Sequence, residues 1–344
     1  MGRSLYLASL ALAPGVLIAE YVFDLSGTAL FVLAGAALIP LAYLIGQATE
    51  HVAEHTGSKV GGFLNASFGN APELLIALFA INDSLPNVVR GTIAGSIVST
   101  ALLVLGAAMA FGGGGKVDRS SLNLQLGILF IAVTLFLIPS IPGWEGNPNS
   151  HTIYLLTLPV AALLLVLYAS TITINLRRPS QPSTSSLEHP WSMGRGLAAL
   201  AVATVATAFV SEALVSSLDE FVDQLGLSQF FVAVVIVALV GNAAEHGGAI
   251  VTARRGNHNL GAEIAVSSSA QVAVFVAPAI ALLSGLIGRG LTLAFRPVEI
   301  ATMAIATVAV TLVIADAQAK RWEGVALILG YAAAVVAYWV AGDA

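Results

Sequence analysis

The sequence of 344 residues contains no cysteine and very little charge. The absence of cysteine excludes disulfide bonds, iron–sulfur clusters and cysteine nucleophiles. Only 10% of the residues are Asp, Glu, Lys or Arg, whereas a soluble domain carries about 25%, because its surface must face water. The basic residues form no patch suited to nucleic acid. With 57% hydrophobic residues and a mean hydropathy of +0.89, the chain is expected to have the lipid bilayer as its solvent.

Long apolar stretches run along the whole chain, and a transmembrane helix needs about 20 mainly apolar residues. Eleven stretches qualify, at residues 4–23, 28–50, 61–82, 86–112, 121–141, 151–173, 194–218, 228–253, 261–286, 296–316 and 322–341. The sequence therefore predicts an all-α integral membrane protein with eleven transmembrane helices. The first stretch could instead be a signal peptide. A retained helix is preferred, because it fits the distribution of charge.

Lys and Arg residues in short loops indicate how the chain is oriented, because they stay on the cytoplasmic side. With a cytoplasmic N-terminus, eleven of the 14 basic residues fall inside, and only Arg90, Arg289 and Arg296 fall outside. The C-terminus is then outside. We expect a multi-pass protein of a prokaryotic plasma membrane.

A motif occurs twice in the chain. Residues Phe68–Glu73, with the sequence FGNAPE, recur 172 positions later as Val240–Glu245, with the sequence VGNAAE. One predicted helix further on, Ser96–Thr100 aligns with Ser267–Gln271 at an offset of 171. By the charge-based orientation, the two copies cross the membrane in opposite senses. This arrangement is typical of secondary transporters built from inverted repeats.

The repeat predicts how the chain is divided. An extra N-terminal helix at residues 1–24 precedes a five-helix repeat at 28–173, and a second, inverted repeat occupies 194–341. The connection at 174–193 is rich in Pro and Ser, which is typical of a flexible linker, here on the cytoplasmic side.

Two acidic residues, Glu73 and Glu245, lie inside predicted transmembrane helices. A charge at the bilayer centre costs at least ~2.5–3.5 kcal/mol, so such acids are functional by default. Asn70 and Asn242 each precede an acid by three residues and are expected to share its helix face. Carboxylate and amide oxygens are the ligands that Ca²⁺ prefers. The sequence therefore predicts a site for a hard cation such as Ca²⁺, in which Glu73 and Glu245 are the principal ligands.

Other residues at repeat-related positions support this site. Gly69 and Pro72 weaken the first motif's helix and Gly241 the second, and unwound backbone at membrane depth is tolerated only beside a polar cavity. The neighbouring helices offer further polar groups, namely Ser96, Ser99, Ser268 and Gln271. Serine in a membrane helix is more often a packing residue, so the case for these four rests on the repeat.

Protons are the expected counter-ion. Desolvation favours the protonated form of a buried carboxylic acid, whereas Ca²⁺ binding requires the deprotonated form, so the two ions compete. Glu50 and Glu212, near helix ends, could relay protons or latch a gate, or could merely be solvated. His246 points about 100° away from Glu245 and could tune that acid or bond to a neighbouring helix.

The segment His51–His55 matches the H-x-x-E-H pattern of certain zinc peptidases, which leaves a membrane zinc hydrolase as an alternative of another class. No third ligand or soluble catalytic domain is evident, and a solvated helix end is the favoured reading.

The chain is similar to the cation/proton exchanger branch of the calcium/cation antiporter superfamily. The resemblance is carried by residues Gly62–Leu74, Gly241–His246 and Ser268–Gln271. It implies an eleven-helix fold in which Glu73 and Glu245 bind Ca²⁺ or protons in alternation. It also implies that the second and seventh transmembrane helices slide as gates, and that the protein is a transporter without a cofactor rather than an enzyme.

Two departures from the superfamily stand out. Thr100 occupies a position where Asn is usual, and the acidic central loop of eukaryotic members is missing, which favours a compact prokaryotic transporter.

Sodium/calcium exchangers typically carry Gly-Thr-Ser where this chain has Gly-Asn-Ala, so sodium as the counter-ion is the alternative within the superfamily. A passive channel is disfavoured by the inverted repeat. The expected partners are Ca²⁺, H⁺ and lipid, and homo-oligomerisation is left open.

Overall fold

A computed structural model describes residues 10–23, 25–56, 64, 67–177 and 191–342, and within them the chain is almost entirely helical. The helices are α1 (Leu12–Val22), α2 (Gly27–Thr56), α3 (Ala71–Asn82), α4 (Pro86–Gly112), α5 (Arg119–Glu145), α6 (His151–Arg177), α7 (Met193–Ser216), α8 (Leu218–Leu225), α9 (Gln229–Gly241), α10 (Ala243–Arg254), α11 (His258–Leu286), α12 (Pro297–Ile314) and α13 (Arg321–Ala341). Two short strands, β1 (Gly115–Lys116) and β2 (Gln318–Ala319), pair antiparallel. The all-α fold is as predicted.

In the described part of the chain, eight helices are long and apolar enough to cross a membrane. They are α2, α4, α5, α6, α7, α11, α12 and α13. The bent pair α8 and α9, at 114° to each other, would be a ninth span if counted as one. An integral membrane protein is thus confirmed, and the count of eleven stays a prediction.

The other three predicted stretches correspond to shorter helices. The stretch 4–23 contains the 11-residue α1, with residues 4–9 outside the described part. The stretch 61–82 contains the 12-residue α3, and residues 61–63, 65 and 66 are not described. The stretch 228–253 is interrupted at Asn242 between α9 and α10. Most of the predicted linker, residues 178–190, also lies outside the described part.

Helix ends follow local chemistry. α4 begins at Pro86, where a missing N–H costs nothing, and ends before Gly113, whose φ of +103° is in the left-handed region that glycine adopts easily. α5 begins after Asp118, whose side chain accepts a hydrogen bond from the Ser120 N–H at 2.9 Å. The predicted bounds of α4, 86–112, match the structure because both signals are visible in the sequence.

The chain forms two compact units. The first comprises Met1–Phe79 and Tyr168–Gly226, and the second comprises Ala80–Leu167 and Leu227–Ala344. Each unit therefore draws segments from both of the predicted repeats, whose bounds stay a prediction.

In the first unit, α2 and α7 pack along each other. Ile45 and Ala48 of α2 form a buried apolar cluster with Leu200 and Ala203 of α7 and with Ala71. At the far end of α2, the ring of Phe31 stacks on Phe221 of α8 with centroids 4.1 Å apart, and Thr28 Oγ1 donates a hydrogen bond to Gln224 Oε1 at 2.6 Å. The small residues along this contact allow the two backbones to approach closely.

In the second unit, α4 is the most buried of the long apolar helices, with 89% of an apolar stretch of 18 residues buried inside the protein. A Cβ placed on Gly95 would lie only 1.9 Å from the Val234 carbonyl oxygen of α9, so the two backbones touch there. Gly106 of α4 meets Gly324 of α13 in the same way, because a Cβ on either would lie under 3 Å from the other's carbonyl oxygen.

Three helices of the second unit contain a π-helical segment, at Ser99–Val104, Val232–Val237 and Val272–Val276. π-helical turns inside α-helices are frequent at functional sites. The first π-helical segment overlaps the repeat-related segment Ser96–Thr100. The third directly follows the repeat-related segment Ser267–Gln271. The local irregularity is therefore duplicated together with the sequence.

We expect Gly95→Ala to destabilise the protein by about 1–3 kcal/mol, because its methyl group would overlap the α9 backbone. Thermal stability in detergent, followed by size-exclusion chromatography, measures this. Gly127→Ala on α5 is the control, since a Cβ there meets no atom within 4 Å. Equal stability of Gly95→Ala and the wild-type protein would show that the backbones of α4 and α9 are not in close contact at Gly95.

Candidate cation site

Both copies of the Gly-Asn-Ala motif lie where a helix breaks and restarts. Gly69 and Asn70 form a turn directly before α3, and Asn242, with φ −94° and ψ 9°, separates α9 from α10. The breaks expected from Gly69, Pro72 and Gly241 are therefore present. Pro72 is the second residue of α3, a position at which no backbone N–H is needed.

Each asparagine lies directly before the helix that restarts. The Asn70 carbonyl accepts a hydrogen bond from the Leu74 N–H at 3.1 Å, and the Asn242 carbonyl accepts one from the His246 N–H at 3.0 Å. The sequence predicted that each Asn shares a helix face with its Glu. In the structure the Asn lies at the break itself, and its Glu follows in the first turn of the restarted helix.

Glu73 is the third residue of α3 and Glu245 is the third residue of α10, and both helices are 12 residues long. The first turn of a helix has N–H groups without helical partners and the positive end of the helix dipole, so it stabilises a carboxylate. Glu73, in the first unit, is 3% exposed, and Glu245, in the second, is partly buried. The two acids thus have the same local setting in different units.

The side chain of Asn242 is held in one orientation. Its Nδ2 donates hydrogen bonds to Ser96 Oγ at 2.8 Å and to the Ala238 carbonyl oxygen at 3.0 Å. A carbonyl can only accept, so the amide nitrogen must face it. The Oδ1 atom is buried and accepts no hydrogen bond from any described residue. An unsatisfied buried acceptor costs about 1–3 kcal/mol, which a bound cation would offset.

Glu245 receives a hydrogen bond as well, from the hydroxyl of Ser268 to Oε2. On the same helix, Gln271 Nε2 donates to Ser267 Oγ at 3.0 Å. Ser99 is fully buried, and its hydroxyl donates to the Ser96 carbonyl one turn earlier at 3.3 Å. The second unit therefore brings Ser96 to Asn242 and Ser268 to Glu245, whereas Ser99 bonds within its own helix.

His246 bonds to a neighbouring helix, one of the two roles that the sequence left open. Its Nε2 lies 3.3 Å from Thr100 Oγ1 on α4. The sequence marked Thr100 only as a departure from the superfamily and missed it as a partner. The sequence feature that could have identified Thr100 as a functional position is its alignment with Gln271 in the repeat.

Glu50 and Glu212 are both exposed side chains of the first unit, at the end of α2 and on α7. Their part in proton relay or gating stays a prediction.

The two histidines of the H-x-x-E-H pattern both bond to the backbone of one residue, Trp191. His51 Nδ1 accepts a hydrogen bond from the Trp191 N–H at 3.2 Å, and His55 Nε2 lies 2.7 Å from the Trp191 carbonyl oxygen. A zinc site would need these nitrogens as ligands. The arrangement therefore disfavours the zinc hydrolase.

Apolar helices long enough to span a bilayer, together with two broken helices that each carry an acid at the restart, define a multi-pass secondary transporter. The chain belongs to the sodium/calcium exchanger protein family, whose sequence pattern it matches over residues 26–177 and 195–340. The unmatched interval coincides with the predicted linker.

Individual relatives agree with this. The chain is 33% identical to a Ca(2+)/H(+) antiporter of Aphanothece halophytica, covering 88% of this chain and 87% of the relative. It is also 33% identical to the Ca(2+)/H(+) antiporter ChaA of Bacillus subtilis, covering 88% and 90%. The solved structure of native YfkE is similar with a TM-score of 0.85 and 28% identity, over 97% of this chain and 99% of that one. The predicted resemblance is confirmed.

Proposed function

We propose that this protein exchanges Ca²⁺ for H⁺ across a membrane, with Glu73 and Glu245 as the residues that carry either ion. The observation behind this proposal is the duplicated helix restart, which gives each acid the same capped first turn. The relatives named as Ca(2+)/H(+) antiporters, at 33% identity over most of the chain, support the choice of ions.

Charge balance accounts for the coupling of the two ions. Two carboxylates are neutralised either by one Ca²⁺ or by two protons, and a site without either carries uncompensated charge. Moving such charge through a low-dielectric region is costly. The site therefore changes the side that it faces only when loaded, and each ion must leave before the other binds.

The polar groups of the second unit complete the proposed site. Asn242 Oδ1 is available as a neutral ligand because Ser96 and the Ala238 carbonyl hold the amide nitrogen. Ser268 orients the Glu245 carboxylate. Asn70 has the corresponding position in the first motif, and Gln271 and Ser99 are proposed as further contributors at repeat-related positions.

We propose that the N-terminus is cytoplasmic and the C-terminus outside, in the plasma membrane. Two sets of contacts within the second unit support this topology. β1 and β2 pair two loops that the charge distribution places inside. Arg90, assigned outside, donates hydrogen bonds at 2.9 Å to Asn149 and to Thr292, in two loops that are also assigned outside. The repeat bounds 28–173 and 194–341 are proposed with it, supported by the matched helices α3 and α10.

Glu73→Gln and Glu245→Gln should each abolish exchange, because glutamine has the size of glutamate but neither charge nor exchangeable proton. Calcium uptake by everted vesicles under an imposed pH gradient measures this, with the exposed Glu145→Gln as the matched control. An active variant of either acid would remove that residue from the mechanism.

Sodium as the counter-ion is the second candidate, since the family includes sodium/calcium exchangers by name. In the same vesicles, we expect uptake to be abolished by a protonophore and to be indifferent to sodium. Uptake that needs a sodium gradient and persists without a pH gradient would replace protons with sodium in the proposal.

We expect Ser96→Ala to weaken the apparent affinity for Ca²⁺ about 2- to 10-fold, because the Asn242 amide loses one of its two anchors. Initial uptake rates against Ca²⁺ concentration measure this. Ser269→Ala is the control, since that buried hydroxyl bonds only to the carbonyls of Ile97 and Ala265. Unchanged affinity in Ser96→Ala would show that the anchor does not matter.

A further inference from the structure

Trp191 joins the ends of two helices in the first unit. It lies two residues before α7 and is held by the last turns of α2. Its N–H donates to His51 Nδ1 at 3.2 Å, and its carbonyl oxygen lies 2.7 Å from His55 Nε2. Since a carbonyl only accepts, His55 must donate from Nε2. The Trp191 N–H can only donate, so His51 Nδ1 must carry no proton.

The indole ring is in contact with two side chains. The His51 imidazole stacks on it with centroids 4.2 Å apart and planes at 16°, and the Arg195 guanidinium carbon lies 4.9 Å from its centroid. Nearby, a Cβ on Gly196 would lie 2.9 Å from Val52 Cγ2, so the two helices are in close contact here. We use the term Trp191 clasp for Trp191 with His51, His55 and Arg195.

The clasp requires a neutral His51. A protonated imidazole donates from both nitrogens, so it cannot accept the Trp191 N–H. It would also place a second cation against the indole, in addition to Arg195. The other charged or titratable groups around His51 are Glu50, Glu54 and His55, all exposed and on its own helix. Burial of the ring opposes a charge on His51 most strongly, Arg195 and His55 repel that charge, and the two acids attract it.

We propose that the Trp191 clasp is a pH-sensitive connection that holds the ends of α2 and α7 together while His51 is neutral and releases them when the surrounding solution becomes acidic. Histidine is the side chain whose charge changes most readily between pH 5 and 8, so acidification protonates His51 and releases the clasp. The clasp itself stands on the contacts above.

The consequence of the Trp191 clasp for transport rests on the proposed function and the proposed orientation. According to these two proposals, the clasp lies on the cytoplasmic side, and α2 and α7 are the gating helices. An exchanger that expels Ca²⁺ brings protons to this side. Release of the clasp uncouples the two helices and slows exchange, which limits further acidification.

The first test follows Trp191 itself in purified protein. The chain has four Trp residues, so the emission of Trp191 is taken as the difference between wild-type protein and Trp191→Phe. Between pH 8 and about pH 5.5 we expect this difference to shift to longer wavelength, as the ring becomes exposed. In His51→Asn, Oδ1 takes the place of Nδ1 and accepts at any pH, so the shift should vanish.

His55→Gln is the matched control, because its amide nitrogen can donate to the Trp191 carbonyl without titrating, and the shift should remain. Arg195→Gln removes the opposing cation and should move the midpoint to higher pH. No shift in wild-type protein, or the same shift in His51→Asn, would overturn the clasp. An unmoved midpoint in Arg195→Gln would also count against it.

The second test measures Ca²⁺ exchange at several pH values on the clasp side, with a constant pH difference across the membrane. Wild-type exchange should slow on acidification about 3-fold more than exchange by His51→Asn, as expected from one lost hydrogen bond. Equal slowing would overturn the link to transport. Absence of exchange at any pH would contradict the proposed function, whereas the fluorescence test would still judge the clasp.

Discussion

The cost of placing charge and unpaired backbone groups in lipid is the constraint on which this structure depends. In the bilayer core every polar group must find a partner inside the protein. The chain has few charged residues, and the two acids of the duplicated motif, Glu73 and Glu245, both occur at helix restarts. A helix that begins within the membrane provides N–H groups and a favourable dipole for a carboxylate, at the cost of interrupting the helix before it. At both interruptions the residue before the restart is an asparagine.

The same constraint organises the rest of the second unit. Arg90 is 2% exposed, yet its guanidinium donates to Asn87, Asn149 and Thr292, so a buried cation is fully hydrogen-bonded. Asn242 Oδ1 is one of several buried polar atoms in this unit that no described residue satisfies, and it lies in the same motif as Glu245. A buried acceptor next to an acid offers the oxygen ligands that a hard cation binds. The surrounding helices are packed backbone to backbone at Gly95 and Gly106, which leaves these polar groups little freedom.

Much of the fold could be predicted because its signals are local. Apolar stretches bounded by Pro86 and Gly113 gave α4 its correct ends, since proline and glycine act on the residues next to them. The π-helical segments could not be predicted, because a Val-rich stretch such as Val232–Val237 reads as an ordinary buried helix. Nor could the bend of 114° between α8 and α9, which depends on how the helices pack.

For the candidate site, too, some features could be predicted from the sequence and others depended on the tertiary structure. The sequence alone determined that Glu73 and Glu245 belong to a duplicated motif and predicted that they act as a pair, because an intramembrane carboxylate is costly enough to stand out and its duplication is visible in the chain. Only the tertiary structure decided which atom of Asn242 is available, that His246 bonds to Thr100, and that His51 and His55 hold Trp191 rather than a metal. These pairings join residues 136 or more positions apart or depend on the direction of a single hydrogen bond, and neither property leaves a local pattern in the sequence.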